Sequence, residues 1–167
     1  MPYRTELSGN GPRKTFPEEI IWQKICKWCA FQERSQQEVR EKLGGLGLDA
    51  RSADAMIVRL IDERFLSEER FAVAYAGGKF RQLGWGRIRI RSALKAKGVS
   101  EACIRIALRA ISETDYTRKL REVISKRSRL EREKDPRKRN WKLASYAMSR
   151  GFEPDLVNDC IREQPAD

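Results

Sequence analysis

Four cysteines, two acidic pairs and one dense basic run are the side chains here whose types and spacing could do chemistry. Cys26 and Cys29 form a C-x-x-C, a spacing that binds zinc or exchanges disulfides when it sits in a turn. In this chain it falls inside IIWQKICKWCAF, which reads as an apolar helix. Positions three apart on a helix share a face, and free cysteine packs as a small hydrophobe. The pair is therefore expected to be structural, with no bound metal. Asp62-Glu63 and Glu68-Glu69 flank Phe65-Leu66, and paired carboxylates can hold magnesium in nucleases. Here they coincide with a helix end and an N-cap turn, which accounts for them more simply. There is no histidine. That removes the commonest acid–base residue near neutral pH and every triad built on it. No Walker A string, zinc-ligand set or G-x-S-x-G is present. The expectation is a protein that is not an enzyme and needs no cofactor.

The basic residues carry a different chemistry. Lysine plus arginine outnumber aspartate plus glutamate by 35 to 24, a net charge of +11 at pH 7. A surplus of that size favours a polyanionic partner, because each neutralised phosphate releases counterions. The densest cluster is RIRIRSALKAK, residues 87–97. At 100° per residue Ile90 and Leu94 define a buried side, and Arg87, Arg91 and Lys95 form a flanking stripe at i, i+4 and i+8. Like charges four apart cost a few tenths of a kcal/mol each, so such a stripe suggests a partner that compensates for it. A second basic region, Lys126 to Arg139, is interrupted by Glu131, Glu133 and Asp135, and ion pairs along a helix explain part of it. Trp85, between two glycines, is expected to plug a junction between helices, with base stacking as the alternative. Trp22, Trp28 and Trp141 fall in apolar helical patterns and are expected in the core.

The elements that must position these residues are all helical. Residues 1–16 have glycine, proline and charge without periodicity and are expected to be a flexible N-terminal arm. From Pro17 on, apolar residues recur at helical spacing, and no segment alternates like a strand. One string recurs: Val39, Leu43, Gly47, Leu48; then Ile90, Leu94, Gly98, Val99, 51 residues on; then Leu143, Ala147, Gly151, Phe152, 53 further on. Each copy reads as a short amphipathic helix ended by a left-handed glycine, with the next apolar side chain folding back. A longer helix precedes each, near 18–32, 67–82 and 115–132, and another follows, starting near Ser52, Ser100 and Pro154. Ser67 is a candidate N-cap, Ser35-x-x-Glu38 a capping box, and Asp135-Pro136 an N-cap with proline at N1. The fold class expected is all-α, with tandem three-helix repeats of about 50 residues in an elongated curved array: 17–66, 67–112 and 113–167. A unit of that size is marginal alone, so neighbours must share a core.

Four strings resemble the RecX family, the bacterial regulators of the RecA recombinase. They are Arg34-Ser35-x-x-Glu38-Val39-Arg40-x-Lys42-Leu43; LIDERFLSEERFA over residues 60–72; Gly84-Trp85-Gly86-Arg87; and Leu94 to Val99 with its following helix. Together they run over residues 20–111, and the third unit matches in pattern through Arg150-Gly151-Phe152. Three positions depart from the family's strings. Arg64 stands where the family has glycine, Ser67-Glu68-Glu69 replaces its acidic pair, and Arg87 replaces a proline often found after Gly86. The resemblance implies curved rows of three-helix modules that lie in the groove of a RecA–DNA filament. It also implies suppression of the filament's ATPase, strand exchange and co-protease functions without catalysis by the regulator. On that footing Arg87, Arg91, Lys95 and Lys97 are the expected contact set, with Arg89 and Arg81 beside them and Arg40 from the first unit. The partners expected are a RecA filament and single-stranded DNA, with double-stranded DNA as a further candidate. No stretch is long and apolar enough to span a membrane, and free thiols without an export signal suggest the cytoplasm; a monomer is expected. The rival reading is a direct DNA-binding protein with helix-turn-helix-like modules. Arg105 and Arg109 would be the strong donors on its third helix.

Overall fold

The computed structural model describes residues 16–163. The arm expected over residues 1–16 lies, Phe16 apart, outside them. Nine helices and no strand occur among the described residues: α1 (Glu18–Phe31), α2 (Gln36–Gly45), α3 (Ala50–Asp62), α4 (Glu68–Leu83), α5 (Arg87–Ala96), α6 (Glu101–Arg109), α7 (Glu113–Leu130), α8 (Pro136–Ser149) and α9 (Pro154–Arg162). The chain divides into two compact units at Leu66–Ser67.

The first unit is built from α1, α2 and α3. Ile21, Trp22, Ile25, Cys26 and Cys29 form one stripe of α1 and bury it against Val39 and Leu43 of α2 and against Ala53, Met56, Ile57 and Leu60 of α3. Both cysteines of the C-x-x-C are thus core residues with free thiols. Burial pushes both upward, Cys29 to about 11, which leaves them protonated at neutral pH. Ser35 and Glu38 close the capping box at the start of α2. α3 starts earlier than Ser52: Asp49 is the N-cap and accepts from the Ser52 N–H at 2.9 Å.

The second unit holds α4 to α9 around a single core. Phe71, Phe80, Ile90, Leu94 and Ile104 come from its first three helices, and Tyr116, Leu120, Ile124, Leu143, Phe152 and Val157 from its last three and their connections. Two helix triads therefore bury their apolar faces in one another, which is how units too small to stand alone become stable.

The recurring string has one geometry in all three places. The six spaced apolar positions, from Val39 to Ala147, are each at most 1% exposed. Gly47, Gly98 and Gly151 have φ of 99°, 74° and 93°. Their N–H groups donate to the carbonyls of Gly44, Lys95 and Met148. The following N–H of Leu48, Val99 and Phe152 reaches back to Leu43, Leu94 and Ala147 at 3.2, 3.2 and 3.3 Å. These are Schellman closures, and the side chain after each glycine folds onto the core. The same closure ends α3, with Arg64 at φ 63° in the left-handed position. Arginine thus occupies a conformation that suits glycine, the residue that the family strings carry at this position.

Gly86 explains the second half of the Gly84-Trp85-Gly86 string. A Cβ on Gly86 would lie 2.2 Å from the carbonyl of Gly151, so only glycine lets the two backbones meet. Where they meet, the Gly86 N–H donates to Arg150 O at 2.8 Å and the Ile88 N–H to Gly151 O at 3.0 Å. The open end of α5 is thereby capped by the end of α8. The Arg150 guanidinium closes the same seam by donating to Leu83 O.

Candidate functional site

The stripe expected on α5 exists, but the unit itself supplies its counter-charges. Arg91 Nη1 lies 2.6 Å from Glu101 Oε2, and Lys95 Nζ lies 3.0 Å from Glu101 Oε1. Glu101 opens α6, where an acid is favoured by the helix dipole. Chiefly through its hydrogen bond from Lys95, its carboxyl is held below the ordinary range. Arg87 is only 19% exposed; it pairs with Glu113 at 2.7 Å and with Glu153 at 3.8 Å. Its guanidinium stacks 3.9 Å from the centroid of the Tyr116 ring. Tyr116 in turn accepts from the Arg87 N–H at 2.9 Å and donates to Glu153 at 2.5 Å. Burial first, then that carboxylate, pushes its hydroxyl well above the ordinary value. Phe80 and Phe152 both pack on the ring, with centroids 5.8 and 5.2 Å away. Arg87 is therefore the polar clasp between the two triads.

The remaining sequence candidates go elsewhere. Arg89 points away from the stripe and lies 4.2 Å over the Trp85 ring, which is half-buried against the core. Lys79 of α4 lies 5.1 Å from that ring and 5.2 Å from Tyr75, and Lys97 is 5.7 Å from Tyr75. Lys97, Tyr75, Lys79, Trp85 and Arg89 thus form one row of alternating cations and rings across α4 and α5. No carboxylate pairs with Lys79 or Arg89 among the described residues. Cation–π contacts position these charges without cancelling them. Arg81 is exposed at the end of α4, its guanidinium folded back over Gly77, where a Cβ would meet Nη1 at 2.7 Å. Arg40, in the other unit, pairs with Asp54 at 2.7 Å. Lys79 and Tyr75 had no part in the sequence expectation, although their i, i+4 spacing on one helix was a readable signal.

Trp141 is a correction. It is 69% exposed, not core. Leu143 and Ala147 set the buried face of α8, and a residue two positions before Leu143 is turned away by about 200°. No group of three or more side chains able to hold a metal converges among the described residues. No helix there is long and apolar enough to cross a membrane.

Comparison with known proteins places this geometry in a family. Residues 67–108 match the model of the second three-helix domain of RecX, and residues 113–161 that of the third. The "Regulatory protein RecX" of Xanthomonas axonopodis pv. citri is 30% identical over 150 residues, covering 89% of this chain and 90% of its own. The protein of the same name from Pseudomonas putida is 30% identical over 141 residues, covering 83% and 86%. The crystal structure of RecX from Lactobacillus salivarius has the same fold, with a TM-score of 0.77 at 20% identity over 87% of this chain and 94% of that one.

Proposed function

This chain belongs to the RecX family, and from that premise we propose that it is a non-catalytic regulator of RecA, binding the RecA–DNA filament and inhibiting its ATPase, strand-exchange and co-protease activities. Three repeats, 17–66, 67–112 and 113–167, serve as the modules of this binding protein. The observation that carries the reading is the cation–aromatic row of α4 and α5. At Lys79 and Arg89 it offers positive charge held in place by rings and paired with no carboxylate among the described residues, which suits a surface of phosphates and carboxylates. Arg89 and Lys97 are the leading contacts of the sequence-derived set, with Lys79 added from α4. Arg91 and Lys95 share one carboxylate and contribute a single surplus charge. Arg87 acts by holding the face in place, and Arg81 and Arg40 are peripheral. The protein is taken to work in the cytoplasm as a monomer.

The test is RecA ATPase on single-stranded DNA, titrated with this protein. Inhibition well below one molecule per RecA supports the reading and favours blocked filament growth. Inhibition only near saturation supports binding along the groove. No inhibition at physiological salt, with free DNA still bound tightly, overturns it.

One observation favours a second reading as a direct DNA-binding protein. Arg105 and Arg109 are exposed four apart on α6, with no ion pair among the described residues. Tight, sequence-selective binding to free duplex that an Arg105→Ala, Arg109→Ala variant abolishes would favour it.

A further inference from the structure

The junction of α7 and α8 carries a second, separate basic surface, and it has an aromatic platform at its centre. Between Lys126 and Lys142 the chain has nine basic and three acidic residues. All three acids are engaged locally. Glu131 is 7% exposed in its side chain and sits between Arg127 at 3.4 Å and Lys142 at 3.3 Å. It also accepts from the N–H groups of Arg132 and Glu133, and its carboxyl is held low, first by the latter bond. Glu133 pairs with Lys142 at 3.4 Å, and Asp135 caps α8 through the N–H groups of Arg137 and Lys138. Arg129, Arg132, Lys134, Arg137 and Lys138 keep side chains without an ion pair among the described residues. Beside them an open groove runs between the two helices, with Leu130 and Trp141 on its walls and Tyr146 at its end. Leu130 is 73% exposed and Trp141 69%.

We infer that this groove is a binding site for single-stranded nucleic acid, with an unpaired base stacked on Trp141 and the adjoining phosphates held by Arg132 and its free basic neighbours. An exposed indole flanked by unpaired cations is the arrangement by which a groove takes a single strand without regard to sequence. A duplex keeps its base faces stacked and offers the indole nothing. An acidic protein segment could use the cations but has no base to cover the ring. Glu131 is part of the design: half-buried and paired with two cations, it orders Arg127 and Lys142 without repelling a phosphate. The site is remote in sequence from the α4–α5 row and stands whether or not the filament reading holds.

The experiment uses the full chain and three labelled probes: a dT oligomer, an oligomer of the same length with abasic sugars, and a duplex of the same length, each followed by fluorescence anisotropy at low salt. The wild type is expected to prefer dT over the abasic strand. Trp141→Ala should weaken dT binding by about fivefold or more and remove that preference, since a stacked base is worth roughly 1–3 kcal/mol. Trp141→Phe should keep most of the preference. Arg132→Ala with Lys138→Ala should weaken both strands alike and flatten the salt slope by about 0.7 per lost phosphate contact. Trp141 is exposed, so a thermal melt of Trp141→Ala matching the wild type is expected. Equal wild-type affinity for dT and abasic strands overturns the proposal. So does preference for the duplex, or dT binding unchanged in Trp141→Ala.

Discussion

The second unit has two basic regions, and their availability is the reverse of their charge density in the sequence. Residues 87–97 hold five basic side chains and no acid. The α7–α8 junction holds three acids among its nine bases. Yet on α5 the stripe of Arg87, Arg91 and Lys95 is met by Glu101, Glu113 and Glu153 from other elements. At the α7–α8 junction the acids serve caps and local pairs, and much of the positive charge stays open. A pure basic run on a helix that packs beside other helices recruits acids from its neighbours. A mixed run at a helix junction spends its acids on the turn. Charge counted along the chain therefore says little about which cations can meet a partner.

Variants can break or sharpen that contrast, and the largest effect should come from the seam that supports both regions. Gly86→Ala forces a methyl into the Gly151 carbonyl and should cost about 3 kcal/mol in a urea melt, the upper end of ordinary overpacking. Arg87→Ala removes the stacked guanidinium and leaves the Glu153–Tyr116 pair without its cation. It should cost about 2 kcal/mol of stability and leave the salt slope of DNA binding nearly unchanged. An Arg87→Ala protein of wild-type stability that has lost filament binding would place Arg87 in the contact surface instead. Glu101→Gln should release Arg91 and Lys95. Binding to RecA-coated or naked DNA should then tighten a few-fold, with a salt slope steeper by about one phosphate contact. An unchanged slope would mean that the α5 stripe does not face the polyanion. Arg64→Gly is the smallest and serves as a control: relief of the left-handed backbone should add about 0.5–1 kcal/mol to stability. The salt slope should not move, because Arg64 lies in neither basic region.

How far the molecule could be read from its sequence follows the range of the interactions. Gly47, Gly98 and Gly151 declare themselves because a Schellman closure is made by six consecutive residues. The caps at Ser35, Ser67 and Asp135 are equally local, and all three were legible, as was a helix start near Ser100. The start of α3 was missed by two residues because Asp49 and Ser52 are both capable caps, and the structure uses Asp49. The neutralisation of the α5 stripe was not legible, since Glu113 and Glu153 arrive from 26 and 66 residues beyond Arg87. Trp141 misled because apolar residues nearly encircle the middle of α8. Only the dominance of Leu143 and Ala147 decides which face is buried. Gly86 had a readable motif, but its reason, a backbone 65 residues away, had to be seen.

The most direct measurement is the affinity of this protein for a preassembled RecA–single-stranded DNA filament, set beside naked DNA and RecA alone. It should be made for the wild type and for Lys79→Ala with Arg89→Ala. Tighter binding to the filament than to either component, reduced about tenfold or more in the double variant, is the expected result, as for two rim-to-core charged contacts at an interface. A wild type that prefers naked DNA to the filament, or a double variant that binds the filament as well as the wild type, would contradict it.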